Sequence, residues 1–467
     1  MKPLCQLFGE TSRRALEDPH LQVALRGLDG RLRVQRDNAF EELPNGEELR
    51  DEARAIREHT LAHLDRYLVE FEENFTSLGG VVHWAGDAAA ARGIIQEIAR
   101  VGKVKRIVKG KSMVSEEIGL NKALEAQGLE VVETDLGEFI IQVAGEPPSH
   151  LVAPAVHKTR AGITELFNDA LGAPRMEDPE ALTLFARKIL QEKFLQADMG
   201  ITGANFTVAR TGGVVLLENE GNIRLSTTIP RIHVAVTGIE KVVPTWSELA
   251  VLLKLLPRSA TGQKLSSYVS IFLGPGRQEE PDGAEEFHLV LLDNGRSRIL
   301  KDPALRESLR CIRCGACLNT CPVYLKAGGH AWGWVYSGPI GSVLTPQLLE
   351  DRRSASGLPF ASTLCGACFG VCPVRMDIPR ILTELRRRFA QDPAWGPAPK
   401  RERGLFGLAG FTMGHHHLFN GAGEAARRLM PVLRRVLPLM RQRSGVSDLS
   451  APSFRTIMRK PRDEKND

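Results

Sequence analysis

The stretch CIRCGACLNTCPVY, Cys311 to Tyr324, sets the reading of this chain. Its cysteines fall at 311, 314, 317 and 321, and Pro322 follows the last. Three thiolates at intervals of three residues on a tight loop can each take one corner of an iron–sulfide cage. Gly315 and Ala316 let the backbone approach the inorganic sulfides, and Pro322 leads the chain away. A structural zinc site would instead show paired C-x-x-C units closing a set of four ligands. Downstream, STLCGACFGVCPV (residues 362–374) repeats the pattern from its end: Cys365, Cys368, Cys372 and Pro373 align with Cys314, Cys317, Cys321 and Pro322. Ser362 stands where the partner of Cys311 would be.

In two-cluster ferredoxins the fourth cysteine of each run serves the other cluster. Applied here, that rule gives one cluster to Cys311, Cys314, Cys317 and Cys372, a complete 4Fe-4S set. The second cluster receives Cys321, Cys365 and Cys368. Three readings of its fourth corner stand side by side: a 3Fe-4S cluster needing only three thiolates, a 4Fe-4S cluster completed by Ser362, Thr363, water or a residue from elsewhere, or an open iron acting as a Lewis acid. The linker LKAGGHAWGWVYSGPIGSVLTPQLLE is rich in glycine and aromatics and can shield the clusters. His330 within it is a conceivable ligand, with hydrogen-bonded packing as its plainer role. Two neighbouring clusters transfer electrons without an acid, base or nucleophile from the protein, so no catalytic residue is assigned.

Seven of the eight cysteines lie between 311 and 372 and Cys5 stands alone, a distribution unlike a disulfide framework. The first twenty residues carry no signal-peptide pattern, and no apolar run reaches the ~18 residues of a transmembrane helix. A cytoplasmic protein is expected. Charge is uneven: from residue 378 onward there are 18 Lys and Arg against 8 Asp and Glu, although the whole chain is only +5. Such a tail can meet an acidic protein or an anionic membrane surface peripherally, or form a solvated helical face. Its arginines lack interleaved Tyr or Trp and no DNA-reading motif is present, so nucleic acid is not expected as a partner.

Four segments are expected. Residues 1–78 have helical periodicity, ending at Gly79-Gly80. Residues 79–300 alternate strands and helices, which implies a largely parallel sheet covered on both faces. In this part VVHWAG and KRIVKGK read as strands, LEVVETDLGEFIIQ as a third, and SEEIGLNKALEAQG as a helix capped by Ser115. Residues 301–395 hold the cysteines, and 396–467 are basic and helical, loosely ordered from Ser444. The loop GPGRQEEPDGAEE reads as exposed.

The α/β part lacks a G-x-G-x-x-G turn, so a dinucleotide site is not supported. KGKSMVSEE offers Lys109, Lys111 and Ser112 at a strand end as an anion pocket suited to a small carboxylate or phosphate. A second group, Asn205, Thr211, Glu218, Asn219, Asn222, Arg224 and Ser226, lies on glycine-rich turns. For both groups, turn chemistry is the plainer reading. His83, His150, His157 and His233 are scattered and read as structural.

GITGANFTVARTGGVVLLENEGNIRLSTTIPRIHV, CIRCGACLNTCPVY, GWVYSGPIGSVLTP and LCGACFGVCPVRMDIP together resemble the lactate utilisation protein B family of bacterial L-lactate oxidation. The resemblance spans almost the whole chain, with the tail least distinctive. It implies a front domain of the CoA-transferase and ribose-phosphate-isomerase type and a ferredoxin-like domain with the seven-cysteine pattern. The implied role is electron transport during oxidation of L-lactate to pyruvate, beside lactate utilisation proteins A and C. The LLENEGN turn is similar to the glutamate loop of CoA transferases and makes Glu218 a nucleophile candidate. Two other function classes are weighed: an enzyme acting on a hydroxy acid through an open cluster iron, and a redox-responsive assembly protein.

Overall fold

The computed structural model describes residues 4–277, 279, 282–395 and 400–436. Ten strands occur among them: β1 (Val81–Ala85), β2 (Arg106–Lys109), β3 (Glu130–Glu133), β4 (Met199–Thr202), β5 (Phe206–Val208), β6 (Gly213–Glu218), β7 (Ile232–Gly238), β8 (Val242–Val243), β9 (Tyr268–Phe272) and β10 (Glu286–Leu292). Six form a parallel sheet in the order β1-β10-β7-β4-β2-β3. The other four make a second sheet, β8-β5-β6-β9, with antiparallel β5/β6 and β6/β9 pairs and a parallel β5/β8 pair.

The sequences of the central strands explain their position. All seven residues of β7, IHVAVTG, and all four of β4, MGIT, are buried, as strands covered on both faces require. Along β10 the side chains divide by parity. Phe287, Leu289 and Leu291 pack with Phe71 and Phe75 from the helix Leu64–Ser77, whereas Val290 and Leu292 pack with Ile95 and Ile98 from the helix Ala88–Val101.

Close backbone approach fixes the centre of this sheet. A Cβ on Gly200 of β4 would lie 1.7 Å from the Ser226 carbonyl oxygen, a backbone atom that cannot swing aside. Replacing Gly200 by Ala is expected to cost about 1–3 kcal/mol through forced displacement of the helix Asn222–Thr228, read as a lower urea midpoint.

Two sequence expectations are corrected. LEVVETDLGEFIIQ is not one strand: β3 ends at Glu133, and Asp135 caps a helix Leu136–Val143 by accepting from the Glu138 N–H at 3.1 Å. The cap of the helix Met113–Glu117 is Ser112, not Ser115. Gly119, at φ 63°, then breaks the run before a second helix Leu120–Glu125.

The described residues divide into two compact units, one up to residue 395 and one from residue 400. Within the first, a continuous core joins Leu49 and Ala53 of the helix Gly46–Ala62, Val208 and Val215 of the second sheet, and the cysteine region as far as Trp395. The second unit contains the helices Lys400–Gly414 and His416–Val436. The stretch expected to be loosely ordered from Ser444, and most side chains of the basic tail, lie outside the described residues, as do residues 278, 280 and 281 of the loop between β9 and β10. Among the described residues no helix is long and apolar enough to cross a membrane.

Candidate metal centre and the adjoining cavity

Both cysteine runs follow one backbone plan. In the first, Arg313 sits at φ 62° and Gly315 at φ 77° before a short helix Ala316–Asn319. In the second, the corresponding Leu364 and Gly366 sit at 55° and 83° before Ala367–Gly370. A left-handed arginine or leucine is strained, so its recurrence at matched positions shows that the loop shape is imposed twice. Backbone N–H groups point at sulfur: Arg313 N to Cys311 Sγ at 3.4 Å, Tyr324 N to Cys321 Sγ at 3.5 Å, and Met376 N to Cys372 Sγ at 3.3 Å.

The seven cysteines are linked through neighbouring sulfurs. Cys314 and Cys317 interact electrostatically with Cys311 and with Cys372 from the second run. Cys321 of the first run interacts with Cys365, and Cys368 with both of these. Cys317 also interacts with Cys368, ahead of Cys372, so the two runs meet at Cys317. All seven are free thiols, six of them buried, and Cys365 is exposed.

Burial, and then the neighbouring sulfurs, pushes the thiols of Cys314 and Cys317 well up and that of Cys368 up to about 12. Burial likewise brings Cys372 to about 11. Cys365 is lowered, chiefly by the Ala367 N–H and then by the Thr363 side chain. Crowded, desolvated sulfurs cannot all carry charge by themselves, and binding to cationic metal resolves that conflict. The donor set therefore fits a thiolate-bound iron–sulfur centre.

Ser362 Oγ accepts from the Leu364 N–H at 3.1 Å, so the residue at the missing-cysteine position helps shape the loop. His330 turns to the front module: its Nε2 lies 2.8 Å from the Pro147 carbonyl oxygen, and its ring packs edge-on against His157. The other histidines expected to be structural also have partners. His83 meets His288, His157 meets Glu146, and His233 meets Thr202. His150 Nε2 lies 3.0 Å from Asn319 Oδ1, on the short helix of the first run.

Buried charges that sequence reasoning missed hold the runs in place. Arg50, on the helix Gly46–Ala62, donates to the carbonyls of Cys372 at 2.9 Å and Gly370 at 2.6 Å. Arg296 donates to both Glu117 oxygens at 2.9 Å and to Glu240 Oε2 at 2.6 Å. The Tyr336 hydroxyl donates to Glu117 at 2.7 Å, and Arg313 Nη2 reaches Glu240 at 3.2 Å. Burial alone would raise the Glu240 carboxyl, but Arg296 and Arg313 outweigh it and hold it at about 2. In sequence these arginines look like surface charge.

The two front-module candidates prove to share one cavity of about 320 Å3, at the carboxyl ends of the parallel strands. Lys111, Ser112, Asn205, Glu218, Asn219 and Asn222 line it, and its further wall includes Arg313, Cys314 and Tyr336. Thr211, Arg224 and Ser226 are not among the lining residues. Lys109 is a correction: it is buried against Ser115 Oγ, Glu116 and Glu133 at 2.8–3.0 Å, an internal ion pair in place of a ligand group. Glu218 is another, because its two oxygens accept the N–H groups of Ile223 at 2.6 Å and Arg224 at 2.9 Å. That commits the carboxylate to the turn and away from attack on a substrate.

An open parallel α/β module joined to a doubled cysteine loop has the donor set of an iron–sulfur protein. Residues 68–292 match the LUD domain family and 307–376 the 4Fe-4S dicluster domain family. The chain is 46% identical over 476 residues to lactate utilization protein B of Bacillus pumilus, covering 100% of this chain and 99% of that one. Identity is 46% to the Macrococcus caseolyticus protein of that name, covering 91% and 88%, and 48% to that of Shouchella clausii, covering 82% and 81%. This chain belongs to the lactate utilization protein B family. A crystal structure of a DUF162 family protein from Deinococcus radiodurans matches 49% of this chain and 98% of that one at 12% identity, with a TM-score of 0.28, too low to bear on the fold.

Proposed function

We propose that this chain is the electron-carrying subunit of a cytoplasmic system that oxidises L-lactate to pyruvate. What supports the reading is that cysteines of the two runs are neighbours, Cys372 beside Cys314 and Cys317, and Cys321 beside Cys365 and Cys368. With Cys311 added to the first, these are the proposed ligand sets of two clusters, the second with three thiolates. When bound, such clusters supply single-electron transfer.

The protein's part is to bury the first set, to hold the spacing between Cys317 and Cys368, and to bring the second set to the surface at Cys365. Exposed Phe360, Leu364 and Phe369 around that edge support it as the side that meets a redox partner. The proposed partners are proteins of the lactate utilization A and C types, and the basic tail is a candidate for peripheral membrane contact. The open parallel sheet supports kinship of the front module with the CoA-transferase and ribose-phosphate-isomerase folds.

Growth tests this role. Replacing Cys314 by Ser in the native host is expected to abolish growth on L-lactate while leaving growth on an unrelated carbon source intact. Undiminished growth on lactate overturns the reading.

A further inference from the structure

We propose that Glu146, His157 and His330 form a metal centre separate from the cysteines, which binds one divalent transition-metal ion of the class of zinc and staples the linker after the first cysteine run to the front module. It concerns residues that electron carriage does not use, and it stands on their geometry.

One donor atom from each of the three residues lies within 4.8 Å of the other two. Around a tetrahedral zinc with ligands at about 2.0–2.1 Å, donor atoms stand about 3.3 Å apart, so the set closes by no more than about 1.5 Å. The side chain of His157 is only 9% exposed. Its Nε2 donates to Glu146 Oε2 at 2.7 Å, and its Nδ1 is buried with no hydrogen-bond partner among the described residues. His330 Nε2 donates to the Pro147 carbonyl oxygen at 2.8 Å, the kind of contact that orients metal-bound imidazoles. In the neutral rings both Nδ1 atoms therefore keep a lone pair for a metal. Lys158 donates to Glu146 Oε1, as ligating carboxylates are in turn hydrogen-bonded, and leaves Oε2 on the side of His157.

The backbone brings the three together ahead of any metal. Gly329 N–H donates to Ser149 Oγ at 3.2 Å, and the Tyr324 hydroxyl donates to the Ser149 carbonyl at 2.9 Å. A Cβ on Gly329 would lie 1.6 Å from that carbonyl oxygen, so only glycine lets the linker come this close to the loop between Glu146 and His157. His330, next in the chain, is thereby set against His157, with ring centroids 4.5 Å apart. Order of this kind removes part of the cost of binding. The donor types then choose the metal. Calcium and magnesium take oxygen ligands and copper(I) takes thiolates or thioethers, whereas two imidazoles with one carboxylate suit zinc. Because His330 is exposed, the fourth position is open to water.

The test is titration of zinc chloride into the anaerobic, cluster-loaded full chain against a competing chromophoric chelator, with iron quantified before and after. About one zinc per chain is expected to bind saturably without loss of iron and to raise the thermal midpoint. His330→Ala, a change at an exposed position, should weaken zinc binding by about a hundredfold or more and abolish the rise in midpoint. Glu146→Gln should act in the same direction, and if it does not fold, His330→Ala decides alone. His20→Ala, at an exposed histidine on the helix Pro19–Leu28, should leave both readouts unchanged. Absence of saturable zinc binding, zinc uptake matched by release of iron, or wild-type affinity in folded His330→Ala would overturn the proposal. None of these outcomes bears on growth of the Cys314→Ser strain, so the metal centre and the electron-transfer role fail separately.

Discussion

Serine in place of Cys372 is expected to empty the iron–sulfur site of the first run and to spare that of the second, although Cys372 lies in the second run. Its thiol interacts with those of Cys311, Cys314 and Cys317, and Arg50 fixes its backbone by donating to its carbonyl. A serine hydroxyl is a far poorer thiolate substitute, while Cys321, Cys365 and Cys368 stay intact. Iron per chain should fall by about half. The reciprocal variant, Cys321→Ser, should leave the first site filled and strip the second. Iron and sulfide analysis of both proteins, purified without oxygen, reads the result. Loss of the second site in Cys372→Ser would mean that each run serves its own cluster.

Arg296→Met is expected to destabilise the first compact unit by about 3–5 kcal/mol, the range for removing one partner from a buried charge network. Arg296 is 1% exposed and neutralises Glu117 and Glu240, both buried. Through these acids it ties the front module to Arg313 in the first cysteine run and to Tyr336 in the linker. The denaturant midpoint should drop, and iron at the first site should become labile before the fold is lost. Arg296→Met combined with Glu117→Met should recover part of the stability, because one stranded charge has been removed with its partner. Equal stability of wild type and Arg296→Met would show that the network contributes nothing to holding the two parts together.

What the sequence disclosed follows from the range of the signal. Ligand spacing in the two cysteine runs is local, and so was readable down to the correspondence of Gly315 with Gly366. Strand–helix alternation was also local, and it exposed the parallel sheet. The reading failed where apolar character continues across a change of structure: LEVVETDLGEFIIQ looks uniform, and the one break signal, Asp135 three residues before Glu138, is a helix cap. It failed again where meaning depends on distant partners. Lys109 and Lys111 are near neighbours on one loop, yet one is spent on Glu133 and the other lines a cavity whose opposite wall comes from about 200 residues downstream. Arg50 sits among acids and Arg296 after an Asn-Gly turn, both in ordinary helical contexts, and only the fold shows them buried against Cys372 and Glu117.

The most direct test of the central claim is low-temperature electron paramagnetic resonance of the anaerobically purified full chain, with iron and acid-labile sulfide quantified on the same sample. Two magnetically interacting clusters are expected, with about seven or eight irons per chain according to whether the second holds three or four. A colourless protein containing zinc, or one whose iron fits a single isolated cluster, would contradict it.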